Sequence, residues 1–230
     1  MKKILCCLIV LLSASALFAD AGFQGRPITN NVVMPTGHTL NQGEMQLGIG
    51  PLAFGISDRV QIGTKVLTFI LGVPNVNGRV NLLRKGETSL SAGLGFSIIP
   101  MDNTRNRTFN TYYPFVAYSR PIGEATRLHL AVNLASFENE SEIKDTETQA
   151  YYRGSSLDGG IEYSFSNRTK FLGEAGYDFT FEGIRFAGAV LWGWKTFRLK
   201  LGMDYYNPQG VKKAYLSPQI GLWWRFNTQN

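Results

Sequence analysis

Apolar side chains recur at every second position along most of the chain. In the stretch 214–226 one face carries apolar residues such as Leu216, Ile220 and Trp224, while the other face is mostly polar or small. The stretch 197–206 repeats this pattern. Because successive side chains of a β-strand point to opposite faces, both stretches are predicted to be strands with one apolar face.

The same alternation predicts strands along almost the whole chain from Glu44 to Phe226. Further stretches with the pattern are 44–49, 60–66, 76–82, 89–98, 127–134, 157–165, 170–181 and 184–194. The stretch 109–120 is ambiguous in its phase, and counting it gives eleven strands. Residues 28–38 are predicted to add a twelfth. Because Pro35 is unfavourable within a sheet, ten strands with an irregular N-terminal segment are the alternative.

The face opposite the apolar one distinguishes a barrel from a β-sandwich. In a sandwich that face would meet water and carry many Lys, Glu and Thr side chains, whereas here glycine, serine and alanine are mixed with single charges. The apolar faces carry no charge, as expected where a charge facing lipid costs about 2–4 kcal/mol at the bilayer midplane. With 25 glycines and 17% charged residues, the sequence predicts an all-β, antiparallel up-and-down transmembrane barrel.

Aromatic residues and chain reversals follow the order expected of such a barrel. Phe165, Phe171, Trp194 and Phe197 flank short connections, as in the aromatic belts at membrane interfaces. Short and longer connections alternate, which predicts periplasmic turns at one end and extracellular loops at the other. The short connections are 57–58, 85–86, 120–124, 166–168 and 195–196, and the longer ones are 67–75, 99–108, 138–150 and 206–213. The acidic residues in 138–150 are interpreted as part of a solvated loop, and their role is left open.

The N-terminus has the features of a secretory signal peptide. Lys2 and Lys3 precede an apolar run at 4–12, and small residues allow cleavage after Ala19 or Ala21. Residues 1–21 are therefore predicted to be removed after Sec-type export, leaving 22–230 as a single barrel domain. No later stretch approaches the roughly 18 consecutive apolar residues that a membrane helix needs.

Cleavage also removes the chemistry of thiols from the mature protein. Cys6 and Cys7 are the only cysteines, and both lie in the predicted signal peptide. Losing Lys2, Lys3 and Asp20 lowers the net charge only from +6 to +5. Such a modest excess gives no indication of nucleic-acid binding.

The last strand carries a motif that identifies a family. Gln219, Gly221, Trp224 and Phe226 resemble the C-terminal assembly signal of bacterial outer-membrane β-barrel proteins, although four residues, 227–230, follow the phenylalanine here. The resemblance implies an integral protein of the bacterial outer membrane, surrounded by outer-membrane lipid and recognised by the barrel-assembly machinery. It identifies an architecture but no subfamily, solute or oligomeric state.

The predicted inner face supplies the candidate functional residues. The charged positions expected to line a pore are Lys65, Arg79, Arg127, Glu162, Glu174, Asp178, Arg185, Arg198, Lys200, Asp204 and Arg225. An eight-stranded barrel is filled by its own side chains, whereas sixteen or more strands leave an aqueous channel. The sequence therefore predicts a narrow channel for small polar or weakly anionic solutes. An internal salt-bridge network in a closed barrel remains open as the alternative.

No catalytic, cofactor or metal site is predicted. His38 and His129 are the only histidines, and the sequence assembles neither into a Ser/His/Asp arrangement or a cluster with metal-ligand spacing. The Gly-x-Gly pairs at 48–50 and 93–95 lie within predicted strands and lack the helix that a phosphate-binding loop needs. The protein is predicted not to be an enzyme. A non-conducting structural or adhesive barrel and a lipid-modifying enzyme remain as alternative functions.

Overall fold

The computed structural model describes residues 26–70, 72–102, 107–137, 154–209 and 214–228. The predicted signal peptide and the acidic stretch 138–150 lie outside these residues. Within the described ranges, no helix combines the length and the hydropathy needed to cross a membrane.

The described chain is almost entirely β-structure, with one short helix. In chain order the elements are β1 Glu44–Ile49, β2 Pro51–Ser57, β3 Val60–Lys65, α1 Val66–Ile70, β4 Asn75–Lys85, β5 Thr88–Asp102, β6 Arg107–Pro121, β7 Thr126–Asn133, β8 Ser136–Phe137, β9 Ser156–Ser166, β10 Thr169–Asp178, β11 Gly183–Trp194, β12 Phe197–Asn207 and β13 Tyr215–Asn227. The eleven strands predicted between Glu44 and Phe226 are therefore present, including the stretch of ambiguous phase, which is β6.

Twelve of these strands form a closed antiparallel ring. Each strand pairs with its neighbours in the chain, and β7 pairs directly with β9. The ring closes where the first strand meets the last, with Glu44 opposite Asn227 and Ile49 opposite Leu222. The two-residue β8 pairs with β6 alongside β7 and adds no further strand to the ring. The prediction of a twelve-stranded up-and-down barrel is confirmed.

The identity of the twelfth strand differs from the prediction. Residues 28–38 do not form a wall strand, and the stretch 44–57 instead divides into β1 and β2. The reversal occurs at Gly50, whose φ of 134° is a backbone conformation that other residues rarely adopt. The Gly50-Pro51 pair is typical of a turn, but the connection is only one residue long, so the apolar alternation continues through it as if through one strand.

The outward face of the barrel is apolar. Leu130, Phe186, Leu201 and Ile220 are all at least half exposed on the outer surface. The intervening residues of β11 are buried in strict alternation along the whole strand. The predicted direction of the faces is therefore correct, and the outer surface matches the apolar band of a barrel in lipid.

The two ends of the barrel differ in their connections. One end holds the short turns at 58–59, 86–87, 122–125, 167–168 and 195–196 together with the start of β1 and the end of β13, and we call it the short-turn end. The opposite end, which we call the long-loop end, holds most of the longer connections. Phe197 packs against Trp224 at 5.4 Å between ring centroids near the short-turn end, and Tyr177 packs against Phe179 at 5.3 Å near the other end. Aromatic pairs therefore lie near both ends.

Candidate functional site: the lumen and its internal segment

Residues 26–41, which we call the luminal segment, lie inside the barrel. Asn31, Thr36 and Leu40 have no exposed surface, and Met34 is 1% exposed. The prediction that this stretch supplies an ascending wall strand is therefore wrong. The physical reason is that inward-pointing side chains, in place of neighbouring strands, satisfy much of its backbone.

A tight turn gives the luminal segment its shape. The N–H of Asn31 donates to the carbonyl of Met34 at 3.0 Å, and the N–H of Thr36 donates to the carbonyl of Thr29 at 3.1 Å. The Thr36 hydroxyl also donates to the carbonyl of Ile28 at 2.5 Å. These bonds fold the chain back on itself, so that its outward and returning arms lie side by side in the lumen.

Arg79 on β4 binds both arms of the turn. Its guanidinium donates to the carbonyls of Thr29 at 2.6 Å, Thr36 at 3.3 Å and His38 at 3.1 Å. It also donates to the side-chain oxygen of Asn30 at 2.9 Å. A buried cation with several hydrogen-bond acceptors avoids the cost of an unsatisfied charge. The luminal segment therefore provides the polar environment of Arg79.

Two more basic side chains bind carbonyls of the luminal segment. Lys200 on β12 donates to Asn31 at 3.0 Å and to Val32 at 2.7 Å. Arg225 on β13 donates to Pro27 at 2.7 Å. Hydrogen bonds from charged donors are stronger than those between neutral groups. These contacts hold the turn and the start of the segment against the neighbouring strands β12 and β13.

Acceptors on the wall bind the N–H groups of the same segment. The Glu174 carboxylate on β10 accepts from Val33 at 2.7 Å and from Met34 at 2.9 Å. The Gln61 side chain on β3 accepts from Leu40 at 2.9 Å. Both polarities of the segment's backbone are thus satisfied by side chains from separate strands.

An apolar seat inside the lumen receives the segment's side chains. Ile28 and Val32 belong to one buried cluster with Leu172, Leu191 and Trp223, which all lie on the inward phase of their strands. A second buried cluster consists of Met34, Ala117 and Ala131 with Phe115 packed against it. The alternation places Leu172, Leu191, Trp223 and Ala131 on the mostly polar or small face, but it gives these residues no role. Only the presence of an internal segment explains why the lumen carries them.

A chain of three polar side chains lies beneath the returning arm. The Ser119 hydroxyl is 2.7 Å from Nδ1 of His129, and Nε2 of His129 is 3.5 Å from a carboxylate oxygen of Glu162. Sequence reasoning missed this Ser/His/Glu arrangement because its members come from three strands. Ser119 also accepts a hydrogen bond from the N–H of Gly37 at 2.8 Å, and none of the three residues exceeds 1% exposure. The arrangement therefore anchors the segment and presents no accessible nucleophile.

Glu162 is also the centre of an ion network near the short-turn end. Its carboxylate lies 2.6 Å from the ammonium of Lys170 and 3.2 Å from the guanidinium of Arg127. Arg127 reaches the more exposed Glu87 at 2.9 Å. Because the Lys170 and Glu162 side chains have no exposed surface, their charges are compensated by ion pairs inside the barrel.

Arg185 on β11 organises the opposite half of the lumen. Its guanidinium lies 2.9 Å from Glu174, 2.8 Å from Asp204 and 3.5 Å from Asp158. The same Glu174 binds the luminal segment through its other oxygen. Within the part of the chain that the structure describes, three carboxylates surround this arginine, so the cluster itself has a net negative charge.

A polar cavity of about 300 Å³ lies in this half, towards the long-loop end. Its lining includes Asp158, Asp178, Arg185, Asp204 and Gln219. Tyr206 also lines it and donates its hydroxyl to Asp178 at 3.1 Å. The cavity therefore presents carboxylates and hydroxyls to whatever occupies it.

Two of the predicted lumen residues stabilise turns. Asp178 accepts hydrogen bonds from the N–H groups of Thr180 at 3.0 Å and Phe181 at 3.1 Å, at the β10–β11 turn. Arg198 donates to the carbonyls of Lys195 at 2.5 Å and Phe197 at 2.7 Å, at the β11–β12 turn. These side chains point inward but also fix the ends of strands.

The predicted pore-lining set lies mostly inside the barrel. Lys200 is half-buried, whereas Lys65 is exposed at the end of β3 near the long loops. The buried members are Arg79, Arg127, Glu162, Glu174, Asp178, Arg185, Arg198, Asp204 and Arg225. Both expected uses of these charges, lining an interior and forming ion pairs, are visible in their contacts. That they line a conducting pore stays a prediction.

The residues of the predicted assembly signal lie on β13, the strand that closes the ring. Phe226 is opposite Met45, and Trp224 is opposite Leu47. Gly221 is buried on the inward face of the strand, two positions after Gln219 on the same face. Recognition of this strand by the barrel-assembly machinery stays a prediction.

Comparison with known proteins identifies the fold. No family model matches the chain, and no curated protein matches it. The solved structure of a KdgM porin in complex with disordered oligogalacturonate matches with a TM-score of 0.52 and 12% identity, covering 80% of this chain and 97% of that one. A second KdgM porin structure matches with a TM-score of 0.51, the same identity and the same coverage. Together with the closed twelve-stranded ring, these matches show that the chain has the fold of porin-like outer-membrane β-barrels.

Proposed function

We propose that the protein is an integral outer-membrane channel through which small polar solutes diffuse passively. The observation that carries the proposal is the polar cavity of about 300 Å³ inside a closed barrel whose outer face is apolar. Small-molecule sites need a concave surface with a few placed polar groups, and this cavity provides them. The likeness to KdgM porins in fold supports the same conclusion.

The charge of the cavity determines which solutes the channel favours. Among the described residues that line it, Asp158, Asp178 and Asp204 face the guanidinium of Arg185. The basic residues that favoured weakly anionic solutes are engaged elsewhere: for example, Lys200 binds carbonyls of the luminal segment. We therefore propose neutral or cationic solutes for this channel. A reversal potential measured in a KCl gradient should indicate preference for K⁺, and preference for Cl⁻ would contradict this assignment.

The route to the membrane is part of the same proposal. The predicted signal peptide would direct Sec-type export, and the β13 motif would direct assembly. Residues such as Leu130 and Phe186 on the outer face would then contact lipid. We propose that the short-turn end faces the periplasm, because outer-membrane barrels have short periplasmic turns and longer extracellular loops.

A non-conducting structural barrel is the second candidate, and one observation favours it. The luminal segment fills the half of the lumen near the short-turn end, where Asn31, Thr36 and Leu40 are fully buried. A permanently filled lumen would pass no solute. The Ser119–His129–Glu162 arrangement adds no enzymatic candidate, because it is covered by the same segment.

Single-channel recording in planar bilayers separates these candidates. The refolded full-length mature chain and a variant lacking residues 26–40 are inserted separately, and folding is checked by the mobility of unheated samples on SDS gels. The channel proposal expects discrete conductance steps from at least one of the two proteins. Folded, inserted protein that gives no conductance in either form would refute the channel and leave the structural barrel.

A further inference from the structure

The barrel wall is complete without the luminal segment. All twelve strands of the ring pair with strands on both sides. Within residues 26–40, the one strand-like bridge joins Asn30 to Pro35 of the segment itself. The segment is therefore held as a ligand is held, by side chains of the wall, and it contributes nothing to the closure of the ring.

Both ends of the luminal segment lie at the same end of the barrel. The first described residue, Arg26, contacts Glu44 at 3.5 Å through its guanidinium and accepts a hydrogen bond from Lys170 at 3.1 Å through its carbonyl. The returning arm reaches Asn41, whose carbonyl accepts from the N–H of Glu44 at 3.0 Å. Glu44 and Lys170 both lie next to the short-turn end. The segment therefore enters and leaves the lumen by one opening and can withdraw without breaking a strand pair.

The wall recognises the segment largely through its backbone. Arg79, Lys200 and Arg225 donate to peptide carbonyls, while Glu174 and Gln61 accept from peptide N–H groups. The wall thus provides donors for peptide carbonyls, acceptors for peptide N–H groups and a cluster of apolar side chains. Together these groups form a binding site for a peptide turn. A solute pathway alone requires no such match.

Arg79 shows how closely the lumen is adapted to this occupant. Among the described residues, no carboxylate lies within ion-pair distance of its buried guanidinium. All the hydrogen bonds of its side chain go to the luminal segment. The Phe115 ring, 5.2 Å from the guanidinium carbon, completes its surroundings. Withdrawal of the segment would leave this cation facing an empty lumen, where water must replace four hydrogen bonds.

From these observations we propose that residues 26–40 are a tethered plug, bound as a peptide by the half of the lumen near the short-turn end. When seated, the plug closes that half of the channel, and when released it opens a continuous path to the polar cavity. The closing and opening of a path rest on the proposed channel function, whereas the binding of the peptide by the lumen does not. The proposal also has a direction, because the plug enters only from the short-turn end.

The first test uses the variant lacking residues 26–40 and a synthetic peptide of residues 26–40. The deletion is expected to raise the single-channel conductance severalfold over that of the full-length chain. The peptide added to one side of the bilayer should block the deletion variant in a concentration-dependent manner, whereas the other side should be insensitive. A scrambled peptide of the same composition is the control. Equal conductance of the two proteins, or block from both sides alike, would overturn the plug.

A second variant retains the whole chain. Met34 of the plug packs in one cluster with Ala131 of β7, and no cysteine follows Cys7 in the sequence. In the double variant Met34→Cys/Ala131→Cys, oxidation should join the two cysteines in a disulfide and keep the channel at the low conductance. Reduction of this disulfide should allow higher conductance levels. The single variant Met34→Cys controls for the substitution itself. Identical conductance in the oxidised and reduced states would overturn release of the plug as the opening step.

Binding of the peptide is also measured without any current. Trp223 contacts the seat of Ile28 and Val32, so peptide binding to the deletion variant should shift tryptophan emission, and the variant that also carries Trp223→Phe should lose most of that shift. If the peptide binds and no form conducts, the channel function fails while the peptide site stands. If channels conduct and the peptide neither shifts emission nor blocks current, the peptide site fails while the channel stands.

Discussion

The buried pair of Lys170 and Glu162 offers a sharp test of how the inner wall is stabilised. The ammonium and the carboxylate are 2.6 Å apart, and neither side chain has exposed surface. Replacing Glu162 with Gln retains the shape but removes the negative charge. The buried Lys170 ammonium then loses the carboxylate at 2.6 Å, and breaking a buried pair in this way costs about 3–5 kcal/mol.

The reverse substitution and the double variant give the size of the interaction itself. Lys170→Met retains the length of the side chain and leaves Glu162 with Arg127 at 3.2 Å. It should therefore cost less than Glu162→Gln. The double variant contains neither buried charge of the pair, so it should be more stable than the sum of the two losses predicts. Contacting residues show interaction energies of about 0.5–3 kcal/mol, and this pair is expected in the upper part of that range.

The free energy of unfolding is measured by urea titration of the protein folded into lipid vesicles. Tryptophan emission and the mobility of unheated samples on SDS gels report the folded fraction. Glu124→Gln, in the exposed β6–β7 turn, is the matched control and should leave the midpoint unchanged. The reasoning is refuted if Glu162→Gln behaves like this control, or if the losses of the two single variants simply add.

Three further predictions concern the plug, the lipid face and the closure of the ring. Arg79→Gln removes most of the four hydrogen bonds that Arg79 donates to the plug. Because a hydrogen bond to a charged group contributes about 1.5–3 kcal/mol, the ratio of open to closed channel should rise at least about tenfold in single-channel records. Arg59→Gln, at an exposed position, is the control and should not change this ratio. Leu130→Arg places a charge on the outer face, 54% exposed, and should lower stability in vesicles by about 2–4 kcal/mol, more than the same change at Phe165 beside a short turn; equal losses would contradict the depth dependence. Gly48→Val should prevent folding, seen as loss of the fast-migrating form on SDS gels, because a Cβ there would lie 2.0 Å from the carbonyl oxygen of Leu222; a normal folded yield would show that β1 and β13 can separate there at little cost.

The wall was predictable from the sequence because its signal is local. Alternation along a strand such as β11 assigns Phe186 outward and Arg185 inward without any knowledge of the neighbouring strands. The missing reversal at Gly50 and the wrongly assigned strand at 28–38 compensated each other in the strand count. The Gly50-Pro51 pair marks this turn, but its neighbours are apolar and no polar loop separates the two strands, so the alternation alone could not place it.

The contents of the lumen were not predictable because they depend on contacts between distant residues. The luminal segment has the short side chains and the occasional alternation of a strand. What distinguishes it is that Arg79 and Glu174 bind its backbone from opposite walls. Similarly, the alternation places His129 on the inward face, but Ser119 lies in the stretch of ambiguous phase. Their contact depends on the register set by the β6–β7 turn, where they stand opposite each other.

The position of Arg225 links the seating of the plug to the order in which the barrel is completed. Its guanidinium donates to both oxygens of Glu44 on the first strand, at 2.9 and 3.0 Å, and to the carbonyl of Pro27. Arg225 belongs to the last strand to be synthesised, so these three groups meet only when the seam between the chain's two ends is joined. Pro27 of the plug thus acquires this binding partner at the final step of biogenesis, and the same arginine that joins the seam also holds the plug at its entrance.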